Sequence, residues 1–286
     1  MSTDSPSLQA RTRFVESDGR RLAYRRFGQG TPIVLCLRFR GTIDAWDPAF
    51  LDALAARGMD VIVFDYSGLG LSTGTRTYNP ASLAKDALDL IAGLGLGRVV
   101  IGGWSIGGIA AQIVFAQARQ LVSHLVLIAT TPPGPLVKLG EPLFFELAKR
   151  SNTELEDAVQ LFFEPRSGAS RAAAAASRAR LALRTVDRSP EVPYEWAGQQ
   201  LGDGPRNPMF PADAVLQLLK ATDVPVLHVG ADHDIVFPVE NWYALNAQLP
   251  TLQLVTFPSA GHAPHHQYPR QAAAQIAAFT AGEEAN

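Results

Sequence analysis

This sequence is poor in several things that would have directed its reading. Among 286 residues there is one cysteine, Cys36, so no disulfide can form within the chain. Cys36 sits inside the apolar run Ile33-Val34-Leu35-Cys36-Leu37, where a thiol is core rather than chemistry. Charge is scarce and balanced: 18% of residues are charged and the formal net charge is −2. That gives no electrostatic reason to expect nucleic acid or an anionic membrane as a partner. No apolar run approaches the length of a membrane span. The first dozen residues are polar and carry no apolar segment of the secretory type, so a soluble, cytoplasmic location is expected. No repeat of fixed period is found, and no G-x-G-x-x-G is completed: Gly68-Leu69-Gly70 stops short, and Gly93 to Gly97 precedes a strand where the motif must follow one.

Apolar residues are plentiful, at 47%, enough for a substantial core. Five short apolar runs mark strands near 33–37, 61–64, 98–103, 125–129 and 224–230, with another over 252–257. Asp18-Gly19 between two short segments reads as a hairpin. Helical patterns separate the runs over 44–57, 80–94, 106–118, 239–249 and 269–279. Strands that alternate with helices call for parallel βαβ units, buried on both faces. The rhythm breaks at Thr130-Thr131-Pro132-Pro133-Gly134-Pro135; to about Asp213 no strong strand appears. The expected organisation is a core over 1–130, a helical insertion over 131–213 and the rest of the core over 214–286. Residues Met1 to Ala10 read as a loose polar tail.

The stretch around which chemistry gathers is Val99-Val100-Ile101-Gly102-Gly103-Trp104-Ser105-Ile106-Gly107-Gly108. A β-branched strand runs into G-x-S-x-G and then into a helix. Such a turn forces its central serine into a strained conformation and presents the hydroxyl at a helix N-terminus, where negative charge is favoured. A bland alternative is a serine that only caps the helix. A serine nucleophile needs a base, and the base needs a group that fixes its tautomer. Histidine suits the base because its pKa lies near working pH. Three of the six histidines fall in Gly261-His262-Ala263-Pro264-His265-His266, after the last strand; a parallel sheet puts that loop on the same edge as Ser105. The acid is sought in Ala231-Asp232-His233-Asp234-Ile235-Val236-Phe237-Pro238. A metal site from His262, His265 and His266 is the rival; Pro264 prevents the regular helical spacing of an H-E-x-x-H site and no glutamate lies there.

With these loops in register the chain resembles the α/β-hydrolases over nearly its whole length. The resemblance implies a mostly parallel eight-stranded sheet flanked by helices, with a helical cap insertion. Family members commonly place the acid four residues before a proline, which Asp234 and Pro238 match; Asp232 does not and reads as a turn cap. Gly261-His262 matches the family's late Gly-His, making His262 the base to Ser105. The family's oxyanion hole implies backbone N–H donors from Ile106 and from Phe39 in the loop after Leu37. There the chain departs from the pattern: Leu37-Arg38 stands where His-Gly is usual. Arg38 is therefore a candidate substrate contact whose direction the sequence leaves open, while Arg40 is expected to face outward; Trp104 is a second candidate contact. Serine, not aspartate, fills the elbow. The function these residues imply is cleavage of a small, largely apolar ester or lactone through an acyl-enzyme, with no cofactor, no metal and a small molecule as the only expected partner. C–C bond hydrolases, peroxidases, dioxygenases and ligand receptors on the same fold are the alternatives. The insertion is rich in aromatics (Phe144, Phe145, Phe162, Phe163, Tyr194, Trp196, Phe210), one or two of which are expected over Ser105.

Overall fold

The computed structural model describes residues 5–151, 154–201 and 212–281. Its centre is one eight-stranded sheet in the order β1-β2-β4-β3-β5-β6-β7-β8. The strands are β1 (Arg13–Ser17), β2 (Arg20–Gly28), β3 (Thr31–Cys36), β4 (Met59–Phe64), β5 (Val99–Trp104), β6 (Val122–Ile128), β7 (Val226–Ala231) and β8 (Leu252–Phe257). Asp18 and Gly19 turn β1 back on β2, both with positive φ, and β2 runs antiparallel to β4. The remaining strands are parallel. β4, β5 and β7 are buried at every position, as the apolar runs require of strands covered on both faces.

The helices are α1 (Pro6–Gln9), α2 (Pro48–Ala55), α3 (Pro80–Gly93), α4 (Ile106–Gln117), α5 (Pro142–Ala148), α6 (Leu155–Phe162), α7 (Gly168–Leu181), α8 (Tyr194–Gln200), α9 (Ala212–Lys220), α10 (Glu240–Tyr243), α11 (Pro264–Gln267) and α12 (Pro269–Thr280). The chain steps from β3 to β4 in one direction and then crosses back from β4 to β5. Right-handed crossovers therefore put α2 and α3 on opposite faces. Consistently, α2 packs on α12 while α3 packs on α4. The connections leaving β3 and β5, neighbours in the sheet, diverge to opposite sides. A crevice opens there at the carboxyl ends of the strands, and it receives the loops that follow Cys36 and Trp104.

Between β6 and β7 lie α5 to α9 and, among the described residues, no strand. Phe210, one of the insertion aromatics, lies outside the described residues. Three local expectations are corrected. The helix expected over 44–57 is interrupted: a 3₁₀ turn covers Ile43–Ala45, and Asp47 caps a fresh start at Pro48 by accepting from Ala49 N–H at 2.9 Å. The carboxylate of Asp47 is also held by Arg180 and Ser177 of α7, so the cap serves two partners. The helix expected over 239–249 is a single turn, α10, that continues as turns. The tail is not loose from Ser5 onward: Ser7 is buried, its N–H donates to Asp52 at 2.8 Å, and Arg184 donates to the carbonyls of Ser7, Leu8 and Ala10. No helix among the described residues is long and apolar enough to cross a membrane.

Candidate active site

Ser105 stands between β5 and α4 with φ +61° and ψ −127°. A non-glycine residue adopts such angles only where its surroundings hold it. Here Ser105 N–H donates to Ile128 O at 3.0 Å, and its carbonyl accepts from Gly108 N–H and from the Thr130 hydroxyl. The glycines of the motif are explained by close approach. A Cβ on Gly103 would lie 2.1 Å from the Gly107 carbonyl oxygen, and one on Gly107 would lie 2.2 Å from that of Cys36. Ser105 occupies the N-cap position of α4, but its side chain makes no capping hydrogen bond, so the hydroxyl is not spent on the helix end. Ile106 opens the helix, so its N–H is one of the donors that α4 cannot satisfy itself.

Asp234 and His262 arrive from the loops after β7 and β8. His262 Nδ1 lies 2.9 Å from Asp234 Oδ2 and 3.0 Å from Oδ1, and both side chains are almost wholly buried. The carboxylate is fixed in turn by the N–H groups of Val236 and Phe237, which donate to Oδ1 at 2.8 and 3.0 Å. An acceptor at Nδ1 places the ring proton there and leaves Nε2 free to accept one. Asp232 is spent locally, accepting from His233 Nδ1 at 2.6 Å and from Ala260 N–H, in keeping with a turn cap. Gly261 is required before His262 because a Cβ there would lie 2.5 Å from Phe163 O. The next residue, Ala263, donates its N–H to Phe162 O at 2.9 Å, so the histidine loop is pinned to the end of α6.

Ser105 and His262 line one cavity of about 240 Å³. Phe144, Ala148, Ala158, Leu161 and Phe162 form its apolar wall. Among the described residues, Phe144 and Phe162 are thus the insertion aromatics that reach the cavity. Phe163 is buried instead in a small cluster with Val159 and Ala174, and Trp196 stacks near Tyr78 and Arg76. The Phe162 ring lies nearly parallel to the His262 imidazole, with centroids 6.2 Å apart.

Trp104 is corrected from substrate contact to support. It is buried, does not line the cavity, and donates its Nε1–H to the His262 carbonyl at 2.8 Å. Arg40 does not face outward. It has φ +56° and donates from Nη1 to the carbonyls of Ala148 and Arg150, tying the loop after β3 to the end of α5. Its own N–H donates to Tyr78 Oη at 2.8 Å, while Arg38 Nη1 donates to Phe39 O at 2.7 Å. Both sides of the peptide following Phe39 are therefore held. Arg38 turns inward, lines the cavity, and lies over the rings of Phe162 and Trp104 at 4.7 and 5.1 Å.

His265 and His266 are not arranged beside His262 as ligands. His265 packs edge-on against Trp46, Phe50 and Trp104, and His266 Nδ1 lies 3.1 Å from Ser177 Oγ. Burial pushes the pKa of both rings down, that of His266 to about 4. Among the described residues no group of three His, Cys, Asp or Glu could hold a metal ion.

Sequence reading missed Asp65 and Ser189. Asp65 accepts from the N–H of Ile43 and Leu71 and from the Ser189 hydroxyl, and burial raises its pKa to about 6. Gly70 is the signal that marks it, since a Cβ there would strike the carboxylate. A hydroxyl on a strained turn, opening on the same cavity as an imidazole whose other nitrogen is held by a carboxylate, can perform nucleophilic acyl transfer.

Comparison with known proteins agrees with this fold. A solved α/β-hydrolase fold protein from Chitinophaga pinensis superposes with a TM-score of 0.81 at 28% identity, covering 96% of this chain and 98% of that one. A pimeloyl-[acyl-carrier protein] methyl ester esterase from Nitrosomonas europaea is 28% identical over 211 residues, 66% of this chain and 75% of that protein. A non-heme haloperoxidase from Rhodococcus erythropolis is 35% identical over 119 residues, 41% of this chain and 43% of that protein. For this relative, and for the bromoperoxidase-type proteins matched in Mycobacterium tuberculosis, the match spans only 42–43% of their length. The family model for the alpha/beta hydrolase fold matches residues 31–269, and the chain belongs to that family.

Proposed function

We propose that the protein is a serine hydrolase that cleaves a small, largely apolar carboxylic ester or lactone. The observation that carries this reading is the Asp234–His262 pair, closed at 2.9 Å, on the cavity that Ser105 shares. His262 Nε2 takes the proton of the Ser105 hydroxyl as Oγ attacks the substrate carbonyl. Asp234 holds the Nδ1–H and stabilises the imidazolium that forms. The N–H groups of Ile106 and Phe39 receive the oxyanion. His262 then returns its proton to the leaving alkoxide, and the alcohol departs from an acyl-enzyme on Ser105. Water, deprotonated by His262, hydrolyses that ester and regenerates the serine. Residues 131–213 act as a cap over the core formed by 1–130 and 214–286, and Phe144 and Phe162 select the group that enters.

The name of the Nitrosomonas europaea relative, a methyl ester esterase, supports ester cleavage. The name of the Rhodococcus erythropolis relative supports a second reading, in which hydrogen peroxide takes the acyl group from Ser105 in place of water and leaves as a peracid. Steady-state turnover of p-nitrophenyl esters of graded chain length, with and without peroxide, tests both. Turnover that fails in Ser105→Ala supports the proposal; absence of turnover with every ester and thioester tried contradicts it.

A further inference from the structure

Arg38 stands on the cavity wall without a carboxylate partner among the described residues. Arg38 meets no carboxylate within 4.0 Å among the described residues, and Nη1 to Phe39 O is its one hydrogen bond there. Its Nε is buried without any acceptor. Burial lowers its pKa to about 10, which leaves the guanidinium charged at neutral pH. Arg38 as a whole is half-buried, but a charged group whose Nε is buried without an acceptor is costly, and folded proteins rarely keep one without a use.

The other charges on the cavity wall do not neutralise it. Asp44 is taken by Arg25, at 2.6 Å, and by the Ser189 N–H, with Arg184 close by at 3.6 Å. Arg40 is engaged with backbone carbonyls. Arg188 and Glu191 are exposed residues at the rim. Arg38 alone combines positive charge, depth and unmet N–H groups with a place on the wall that Ser105 and His262 share. Phe162 lies against both Arg38 and His262, and with Leu161 it gives the same wall an apolar surface for a short methylene chain.

We propose that Arg38 is an anion subsite and that the substrate is an ester carrying a second, free carboxylate, the half-ester of a short dicarboxylic acid. The inference rests on the hydrolase reading above and narrows its substrate from a largely apolar ester to one that is apolar at the ester end and charged at the other. Two rings flank the guanidinium and one carbonyl anchors it, so its remaining N–H groups are already oriented before substrate arrives. Because the two rings shield it in part from solvent, its attraction for a carboxylate exceeds that of a fully exposed arginine. The competing role is purely architectural: Arg38 would only clamp the loop that carries the Phe39 N–H.

The two roles separate in a ratio. Monomethyl succinate, glutarate and adipate are compared with the matching methyl esters in which the free acid is a primary amide. Wild type should show kcat/KM for the acid at least about tenfold above the amide for one chain length, in KM more than in kcat. Arg38→Gln should bring that ratio to near one, and Arg38→Lys should restore part of it. Because both substrates are assayed on one preparation, any loss of folded protein cancels. An architectural role would slow both substrates together and leave the ratio unchanged, and that result, or no acid preference in wild type, overturns the subsite.

Binding supplies an independent arm. Calorimetry of the same half-esters with Ser105→Ala should detect binding that Ser105→Ala/Arg38→Gln lacks. Arg38-dependent binding without turnover would overturn the hydrolase reading and keep the subsite. Turnover without acid preference would overturn the subsite and keep the hydrolase.

Discussion

Trp104 and His262 are joined: the indole N–H of the residue before Ser105 donates to the carbonyl of His262 at 2.8 Å. Strand β5 thus holds both the turn that carries the hydroxyl and the backbone of the loop that carries the imidazole. Trp104→Phe keeps the ring and removes the donor, leaving a buried carbonyl unpaired. It should lower stability by about 1–3 kcal/mol and lower kcat several-fold more than it changes KM. Denaturant unfolding beside ester kinetics checks this; a variant that loses stability with unchanged kcat would confine the bond to folding.

The acid assignment separates Asp234 from Asp232 by geometry. Asp234→Asn should cost several decades of kcat at neutral pH, because the Nδ1 proton loses its fixed partner and the imidazolium its charge. Asp232→Asn loses bonds to His233 and Ala260 only and should cost under about one decade. Parallel kinetics of the two variants decide; equal or reversed losses would move the acid role away from Asp234.

Gly261 is where the end of α6 presses on the histidine loop. Gly261→Ala would put a Cβ 2.5 Å from Phe163 O, against backbone rather than a side chain that can swing away. The loop or α6 must shift. Activity should fall by about tenfold or more, with a melting temperature lower by several degrees. Retention of both would mean that α6 yields freely.

Stability should decline in acid, and the sign follows from the buried histidines. Burial depresses His228 to about 3 and His266 to about 4, and lowers His265 as well, against about 6.5 for a histidine in the unfolded chain. Their contribution is complete above pH 6.5 and is lost as pH falls toward their folded values, since the unfolded chain binds protons that the native state refuses. Each costs about 1.4 kcal/mol per pH unit in that window. Asp65 works the other way: raised to about 6, it binds a proton in the native state first and offsets one histidine between pH 6 and about 4. Urea unfolding at pH 7 and pH 5 should show lower stability at pH 5, with a shallower fall in His228→Gln. A flat profile would contradict the burial of these rings.

Much of this was legible in the sequence for physical reasons. Parallel strands buried on both faces must be apolar throughout, so β3, β5 and β7 announce themselves, and the elbow glycines mark backbone approaches that no Cβ survives. The resemblance to the family, not a physical rule, singled out the four-residue step from Asp234 to Pro238 and the Gly261-His262 pair, whose loops meet. What stayed hidden depends on partners distant in sequence. Asp47 breaks the expected 44–57 helix because Arg180 and Ser177 hold its carboxylate as well as the helix end. Ser7 is ordered by Asp52 and Arg184, which no local pattern relates to it. The direction of Arg38 is set by the rings of Trp104 and Phe162, which arrive from another strand and from the insertion. Arg40 was misread for the same reason, its acceptors being carbonyls at the end of α5.

The central claim is that Ser105 is the nucleophile, and covalent labelling tests it most directly. Wild-type protein is treated with a fluorophosphonate and measured by intact mass and peptide mapping, beside Ser105→Ala. The account predicts a single adduct, on Ser105, formed in step with loss of esterase activity. It also predicts an alanine variant that folds, takes no label and is slower by about three or more decades. Undiminished ester turnover by Ser105→Ala, or an adduct elsewhere that accompanies inactivation, would contradict it.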